Sequence, residues 1–534
     1  MKNKTEHIFV NQIGYAPAEK KLAFISNFDG CPKEFNLCDS TGKVVYSGKL
    51  GDGIKDALCE EEVFCADFSD FSEEGSFTVC CGGFESYPVK IGKNLYNDLY
   101  KSILNYYTLS RCGEEVSDKK WGHPACHTVE ADIYGTDLKT TITGGWHDAG
   151  DYGRYVVAGT KTIMDLLMAY ENSGSVYSDF DILAEVRFEL EWLLKMQRED
   201  GAVYHKISCY HFCGFVFPQF ETEKQVLAPV STAATADFAG CLAFASSFYE
   251  NQDKAFADKL MAAALKAQSY LDSNEDNFYS NPKEITTGGY GDMNVSDERY
   301  FALCSIYVKT KDEALLKRAI EIRLKAIREE VIDPKAPWRR TWFESYSWGN
   351  VSAYGTEILL RNKELLPAEL YEELKGAIIT RAEKIVSVIN AASYKTSHER
   401  VFWGSNGMVC DEAHILLLAY DLTGKKDYFD GAARQLDYVL GCNPINICYV
   451  TGSGTNSVKN PHHRPSGALK IVMPGMLSGG PSAGLQDEVA RNNLIGQPPL
   501  KCFIDHVGSY STNEVAIYWN SPLVYVIAKL GYLK

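Results

Sequence analysis

A chain of 534 residues, 45% hydrophobic and 23% charged, has an ordinary globular composition. It exceeds the roughly 250–300 residues at which one core stops growing, so at least two domains are expected. A net charge of −16 with no clustered basic run argues against a nucleic-acid partner, and no apolar run approaches the roughly 18 residues that span a membrane.

The opening "MKNKTEHIFVNQIGY" lacks the apolar core of a signal peptide, which predicts a cytoplasmic protein; a trimmed secreted form is the alternative. Sixteen cysteines at irregular spacing suit reduced, mostly buried thiols. Residues 7 to about 92 read as short strands, with "KLAFISN", "FNLCD", "KVVYSGKL", "VFCADFSDF" and "GSFTVCCGG" alternating between turn signals. That spacing predicts a small immunoglobulin-like β-sandwich over 1–92.

From Leu95 the apolar period becomes helical. In "DILAEVRFELEWLLKMQRE", Ile182, Leu183, Val186, Leu190, Leu193 and Leu194 share a face. Helices are also predicted over Tyr100–Leu109, Tyr155–Tyr170, Thr232–Tyr249, Ala255–Leu271, Asp297–Val308, Asp312–Glu330, Ala353–Arg361, Pro367–Ile389, Glu412–Tyr420, Asp427–Leu440 and Asn513–Leu530, twelve in all. The reading is a mainly α domain over 93–534 behind the sandwich, with functional loops between helices, 442–505 above all.

Three stretches carry chemistry. "TGGWHDAGDYGRY", Thr143 to Tyr155, sets Asp148 and Asp151 among four glycines, too many for a stable helix. Neighbouring carboxylates raise one another's pKa, which suits proton transfer, although an acidic pair in a glycine loop also makes a plain turn. In "STNEVAIYWNSPLVYVIAKL", Thr512 or Asn513 is expected to cap a helix with Glu514 in its first turn. Apolar neighbours favour a protonated general acid there; the helix dipole alone would also favour a glutamate. "KNPHHRPSG" offers His462, His463 and Arg464 in a Pro-bounded loop.

Together "GGWHDAGDYGRY", "YVTGSGTNSVKNPHHRPSG" and "FIDHVGSYSTNEVAIYWNSPLV" resemble the three signatures of glycoside hydrolase family 9, inverting β-1,4-glucanases that include many cellulases. "VNQIGYAP" resembles the start of the immunoglobulin-like module of one subgroup, and "STAATADFAG" and "GGYGDMNVSDE" are also similar. The resemblance implies an (α/α)6 barrel, with Asp151 as catalytic base, Asp148 helping to hold the attacking water and Glu514 as acid. It implies that His462 and Arg464 bind substrate and that Asp505, grouped with them, supports the site. An inverting pair stands roughly 6.5–9.5 Å apart to admit a water. Cys448, where Ser is common, and Tyr518, where an acid or Asn is common, depart from the pattern and touch none of the three carboxyl groups.

Cys112, Cys126, His127 and His147 form the thiolate and imidazole set that zinc prefers, and the resembled subgroup is known for a structural zinc to which "HPACH" would contribute. If His147 is a ligand, the ion anchors the residue beside Asp148. Asp292, Asp297 and Glu298 offer oxygen ligands for calcium, a metal the family often carries nearby; Ser296 before two acids also reads as a helix N-cap. The expected activity is inverting hydrolysis of β-1,4-glucosidic bonds in β-glucans or cello-oligosaccharides by a monomer. The alternatives are an exo-acting β-glucosidase or β-glucosaminidase, its cleft closed by "CYHFCGFVFPQFETEK", and a non-catalytic carbohydrate-binding protein.

Overall fold

Alternation before Gly92 builds nine strands among the described residues: β1 (Ile8–Phe9), β2 (Leu22–Ser26), β3 (Glu34–Asp39), β4 (Val44–Lys49), β5 (Ile54–Lys55), β6 (Glu62–Asp67), β7 (Gly75–Cys81), β8 (Phe84–Glu85) and β9 (Val89–Ile91). They pair antiparallel in two sheets, β1-β2-β6-β5 and β4-β3-β7-β8, with β9 also on β7. Ile25, Leu37, Ala66 and Val79 are wholly buried in the core of this sandwich. The computed structural model describes residues 5–173, 180–328 and 343–533. The first four residues of the expected 1–92 module, the end of the expected Asp312–Glu330 helix and Lys534 lie outside them.

All twelve expected helices form: α1 (Asn97–Leu109), α2 (Val156–Ser173), α3 (Ile182–Lys195), α4 (Thr232–Tyr249), α5 (Lys254–Ser273), α6 (Ser296–Thr310), α7 (Glu313–Arg328), α8 (Ser352–Arg361), α9 (Ala368–Ala391), α10 (Ser405–Thr423), α11 (Lys426–Val439) and α15 (Ile517–Lys529). Three short ones were not anticipated: α12 (Arg464–Leu469), α13 (Glu488–Leu494) and α14 (Tyr510–Asn513). A five-stranded sheet was not anticipated either, with order β11-β10-β14-β13-β12: β10 (Ala131–Ile133), β11 (Lys139–Thr140), β12 (Arg154–Tyr155), β13 (Lys206–Cys209) and β14 (Gln225–Leu227). Strands of two to four residues are too short to show a period.

The chain divides into two compact units. One comprises Met1–Tyr106, Asn172–Phe180 and Ala382–Lys534; here the sandwich shares a unit with α10, α11 and α15. Asn11 Nδ2 donates to Asp437 Oδ1 on α11 (2.7 Å). Gln12 reaches the second signature: its Oε1 accepts from the backbone N–H of Thr455 (3.0 Å) and Asn456 (2.7 Å), and its Nε2 donates to the Asn446 carbonyl (3.2 Å). The other unit comprises Tyr107–Glu171 and Asp181–Arg381. In it α4 packs on α5 and α6, and α6 packs on α7 and α8.

Two local expectations are corrected. Glu514 does not open a helix: α15 starts three residues later, and Glu514 is extended (φ −70°, ψ 163°) after the single turn of α14. Thr512 and Asn513 cap nothing, because their side chains bond to Ser509 and to Asn460 and Asp505. Ser296 is not an N-cap either; it is the first residue of α6 and its hydroxyl donates to Asn294 Oδ1 (2.6 Å). No disulfide joins any of the sixteen cysteines, all of them among the described residues.

Candidate active site and metal centres

The loop carrying the aspartate pair is fixed before it reaches them. Gly144 and Gly145 take φ of +99° and +82°, and a Cβ at Gly145 would lie 2.7 Å from the Trp192 ring of α3, so both backbone freedom and close packing require glycine. The Trp146 N–H donates to Glu189 Oε2 (2.7 Å) and its indole to Glu185 Oε1 (2.9 Å). Both glutamates are buried on the apolar face of α3, and Arg111 forks onto Glu185 with two hydrogen bonds of 2.9 Å. The His147 N–H donates to the Ser110 carbonyl (2.7 Å).

Asp148 and Asp151 then receive different environments. Asp148 is 1% exposed. Its Oδ2 accepts from the Tyr290 hydroxyl (2.6 Å), and its Oδ1 has no partner among the described residues. Burial raises its pKa well above the usual carboxylate range, Tyr290 opposes that and the Asp151 charge adds to it. Asp151 is 8% exposed. Its Oδ2 accepts from the Gly153 N–H (3.1 Å) and the Tyr155 hydroxyl (3.2 Å), while Oδ1 accepts no bond among the described residues. One oxygen is thus anchored by two donors and the other by none among the described residues. Tyr290 reaches Asp148 from a left-handed backbone, φ +49°, a conformation that disfavours a bulky side chain by about 1–2 kcal/mol and is held by packing on Tyr155 and Trp348.

Next to this loop, Cys112, Cys126, His127 and His147 bring four donor atoms within 4.8 Å of one another. Cys112 Sγ lies 3.6 Å from His127 Nδ1, Cys126 Sγ lies 3.6 Å from His147 Nε2, and the sulfurs are 3.9 Å apart. Such a set can hold one metal ion. His127 Nε2 meets the buried Glu221 carboxylate at 2.9 Å, so the ring is oriented from both nitrogens. Glu221 belongs to the 209–224 segment, whose Val216 carbonyl also accepts from the Tyr152 hydroxyl (2.5 Å).

In the other unit, the second and third signatures lie side by side. His462 and Glu514 form a parallel backbone bridge, His462 N–H donates to the Asn513 carbonyl (2.8 Å), and Gly479 N–H donates to that of Glu514 (2.7 Å). The His462 ring donates from Nδ1 to the Val507 carbonyl (2.7 Å). Asp505 accepts from the N–H groups of Lys459 (2.8 Å) and Asn460 (2.7 Å) and from Asn513 Nδ2 (3.0 Å). Both of its oxygens are engaged in joining the two signatures. Arg464 is buried at the start of α12. His463 is turned inward against Ser466, and burial lowers its pKa to about 3.

A second acidic group surrounds the start of α6. Asp297 and Glu298 are 3% and 1% exposed. Asp297 Oδ2 accepts from the Val351 N–H (2.8 Å), whereas neither oxygen of Glu298 has a partner among the described residues. Asp237 of α4, which sequence reasoning missed, is wholly buried with both oxygens equally unmet. Burial and mutual repulsion, Asp292 included, raise the pKa of Asp237, Asp297 and Glu298. Uncompensated buried carboxylates invite a cation. The signal was available, since Asp237 is the only charged residue in α4; Glu185 and Glu189 likewise interrupt an apolar face. Tyr290 carried no such mark.

The comparisons give the family and the fold. Residues 96–527 match Glycosyl hydrolase family 9, and residues 3–86 match the Cellulase N-terminal ig-like domain. A cellodextrinase of Butyrivibrio fibrisolvens is 35% identical over 98% of this chain and 99% of its own length, and endoglucanase D of Acetivibrio thermocellus is 32% identical over 98% and 83%. Among solved structures, a thermostable endoglucanase of Alicyclobacillus acidocaldarius matches with a TM-score of 0.89 at 32% identity, covering 98% of this chain and 99% of that one. A Zn-binding triple mutant of a family 9 endoglucanase matches at 0.88 and 28%, covering 96% and 99%. The fold class is that of the (α/α)6 barrel enzymes preceded by an immunoglobulin-like sandwich. The chain belongs to glycosyl hydrolase family 9.

Proposed function

We propose that the protein hydrolyses β-1,4-glucosidic bonds of β-glucans and soluble cello-oligosaccharides with inversion at the anomeric carbon. Asp151 is the general base: it takes a proton from the attacking water on Oδ1 while Gly153 and Tyr155 hold Oδ2. Asp148 orients that water through its unmet Oδ1. Glu514 is the general acid that protonates the leaving glycosidic oxygen, and His462 and Arg464 bind the sugar beside it. The observation that carries this reading is the asymmetry of Asp151, one oxygen held by two donors and the other with none. Names of relatives support the substrate: one is a cellodextrinase, and a further structural match was solved with cellobiose-like isofagomine. A cytoplasmic setting would favour the soluble oligosaccharides.

Cys112, Cys126, His127 and His147 would hold a structural zinc. Tetrahedral zinc, with bonds of about 2.3 Å to sulfur and about 2.05 Å to nitrogen, separates two sulfurs by about 3.8 Å and sulfur from nitrogen by about 3.6 Å. The separations of 3.9 Å and 3.6 Å support it. The ion would stiffen the backbone beside Asp148 and take no part in the reaction. Asp237, Asp292, Asp297 and Glu298 would hold calcium, an ion suited to several carboxylates.

The test is product analysis on cellopentaose, resolving anomers. Wild-type protein is expected to release α-configured products, and Asp151→Ala and Glu514→Ala to release none. Products of retained configuration, or undiminished activity in either variant, would defeat the assignment.

A further inference from the structure

Strand register points to a residue behind the base. Tyr155 on β12 and Lys206 on β13 are direct antiparallel partners, so their side chains share one face of the sheet. Lys206 Nζ lies 5.4 Å from the centre of the Tyr155 ring. Lys206 is wholly buried, and a lysine persists there only if its N–H groups find acceptors and its charge a partner. Its Nζ donates to Thr287 Oγ1 (3.0 Å), to the Gly288 carbonyl (2.5 Å) and, longer, to the Thr287 carbonyl (3.4 Å). The carboxylate it senses is Asp151: burial lowers the Lys206 pKa to about 7, with Asp151 opposing.

The contacts continue toward the loop. The Tyr155 phenol, beneath the Lys206 ammonium, donates its O–H to Asp151 Oδ2 (3.2 Å). Ammonium, aromatic ring, phenol O–H and carboxylate thus follow one another from Lys206 to Asp151. Two glycines make room for the phenol: a Cβ on Gly153 would lie 2.5 Å from the Tyr155 oxygen, and one on Gly288 would lie 3.0 Å from it.

We propose that Lys206 is a positioning residue for the general base: it holds the Tyr155 ring, whose phenol in turn fixes Asp151 Oδ2. The proposal rests on Asp151 being that base. The groups facing Asp151 are Asp148 from its own loop, which repels it, and Tyr155 and Lys206 from β12 and β13, which attract it. Tyr290 acts on Asp148. His205, beside Lys206, stays neutral: burial lowers its pKa to about 3, its Nε2–H donates to the Gly289 carbonyl (2.9 Å), and Nδ1 meets Ser231.

The test compares Lys206→Met, Lys206→Arg, Tyr155→Phe and the double variant Lys206→Met/Tyr155→Phe on barley β-glucan, with circular dichroism as the check on folding. Lys206→Met is expected to lower kcat about 10- to 100-fold with KM within about threefold. Lys206→Arg, which keeps a cation over the Tyr155 ring, is expected to restore kcat. If the residues act in one chain, the double variant is within about threefold of the weaker single one. A folded Lys206→Met with wild-type kcat, or single effects that multiply in the double variant, overturns the proposal. Should Lys206→Met fail to fold, Lys206→Gln is read instead: lower kcat at unchanged KM supports the role, and wild-type kcat overturns it. Asp151→Asn separates the two readings. If it stays active, the base assignment itself fails; if it is inactive while Lys206→Met behaves as wild type, only the role of Lys206 fails.

Discussion

Gln12 ties the sandwich to the loop leading into His462, which makes Gln12→Ala an informative perturbation far from the reacting groups. The side chain is 5% exposed and makes three hydrogen bonds, accepting from Thr455 and Asn456 and donating to the Asn446 carbonyl. Truncation leaves two backbone N–H groups unmet, at about 1–3 kcal/mol for each that water cannot reach, while the Asn446 carbonyl keeps its bond from Asn456 Nδ2 (2.9 Å). Thr455 is at the surface and regains a water, so the net loss is about 1–3 kcal/mol, carried by the 446–456 segment. If that energy holds the substrate-binding loop in register, kcat/KM falls about 5- to 150-fold, chiefly through KM. Gln12→Glu keeps an acceptor for both N–H groups and should retain most of the activity. Initial rates over a cello-oligosaccharide concentration series, with thermal unfolding of each variant, supply the measurement. Gln12→Ala with kcat/KM within about twofold of wild type and an unchanged unfolding temperature would refute the reasoning.

Tyr290→Phe removes the donor to Asp148 without creating a cavity; a hydrogen bond to a charged group contributes about 1.5–3 kcal/mol, so kcat should fall about 10- to 100-fold with folding intact, checked by steady-state kinetics. Glu221→Gln weakens the orientation of His127, and chelator competition should show metal retained about 10- to 100-fold less tightly. His205, His398 and His463 are buried with pKa lowered to about 3. The unfolded chain takes up protons below about pH 6.5 that the folded chain refuses until about pH 3, so stability is intact above that window and is lost as pH falls through it. The slope is about 1.4 kcal/mol per histidine per pH unit. Unfolding temperature should therefore drop between pH 6.5 and 5, and His398→Gln should flatten the profile; a flat wild-type profile counts against this account.

Much of the fold could be read because its periods are long. Each predicted helix spans at least two turns with an apolar stripe, and the five recognised sandwich strands alternate over five or more residues. What escaped notice lacks a period: β10 to β14 are held by pairing over a few residues, and β12 runs straight into α2. Glu514 was assigned to a helix because Thr512 and Asn513 are good caps, yet Asp505, Asn460 and Ser509 compete for those side chains and leave the glutamate extended. The aspartate loop was identified from its glycines. Its supports were hidden, because the partnership of Tyr290 with Asp148 joins residues 142 positions apart and follows from the sheet and loop between them. Asp237, Glu185 and Glu189 are visible in the sequence as charges in apolar faces.

The order in which the units occur along the chain bears on how the protein is made. The unit that ends at Arg381 is complete while residues beyond it are still being synthesised, at about 5–20 residues per second. The other unit must wait: Asn11 emerges 426 residues before its partner Asp437. For much of translation the sandwich therefore stands without the helices it docks against, and a nascent chain halted before α11 presents the surface around Asn11 and Gln12 to chaperones.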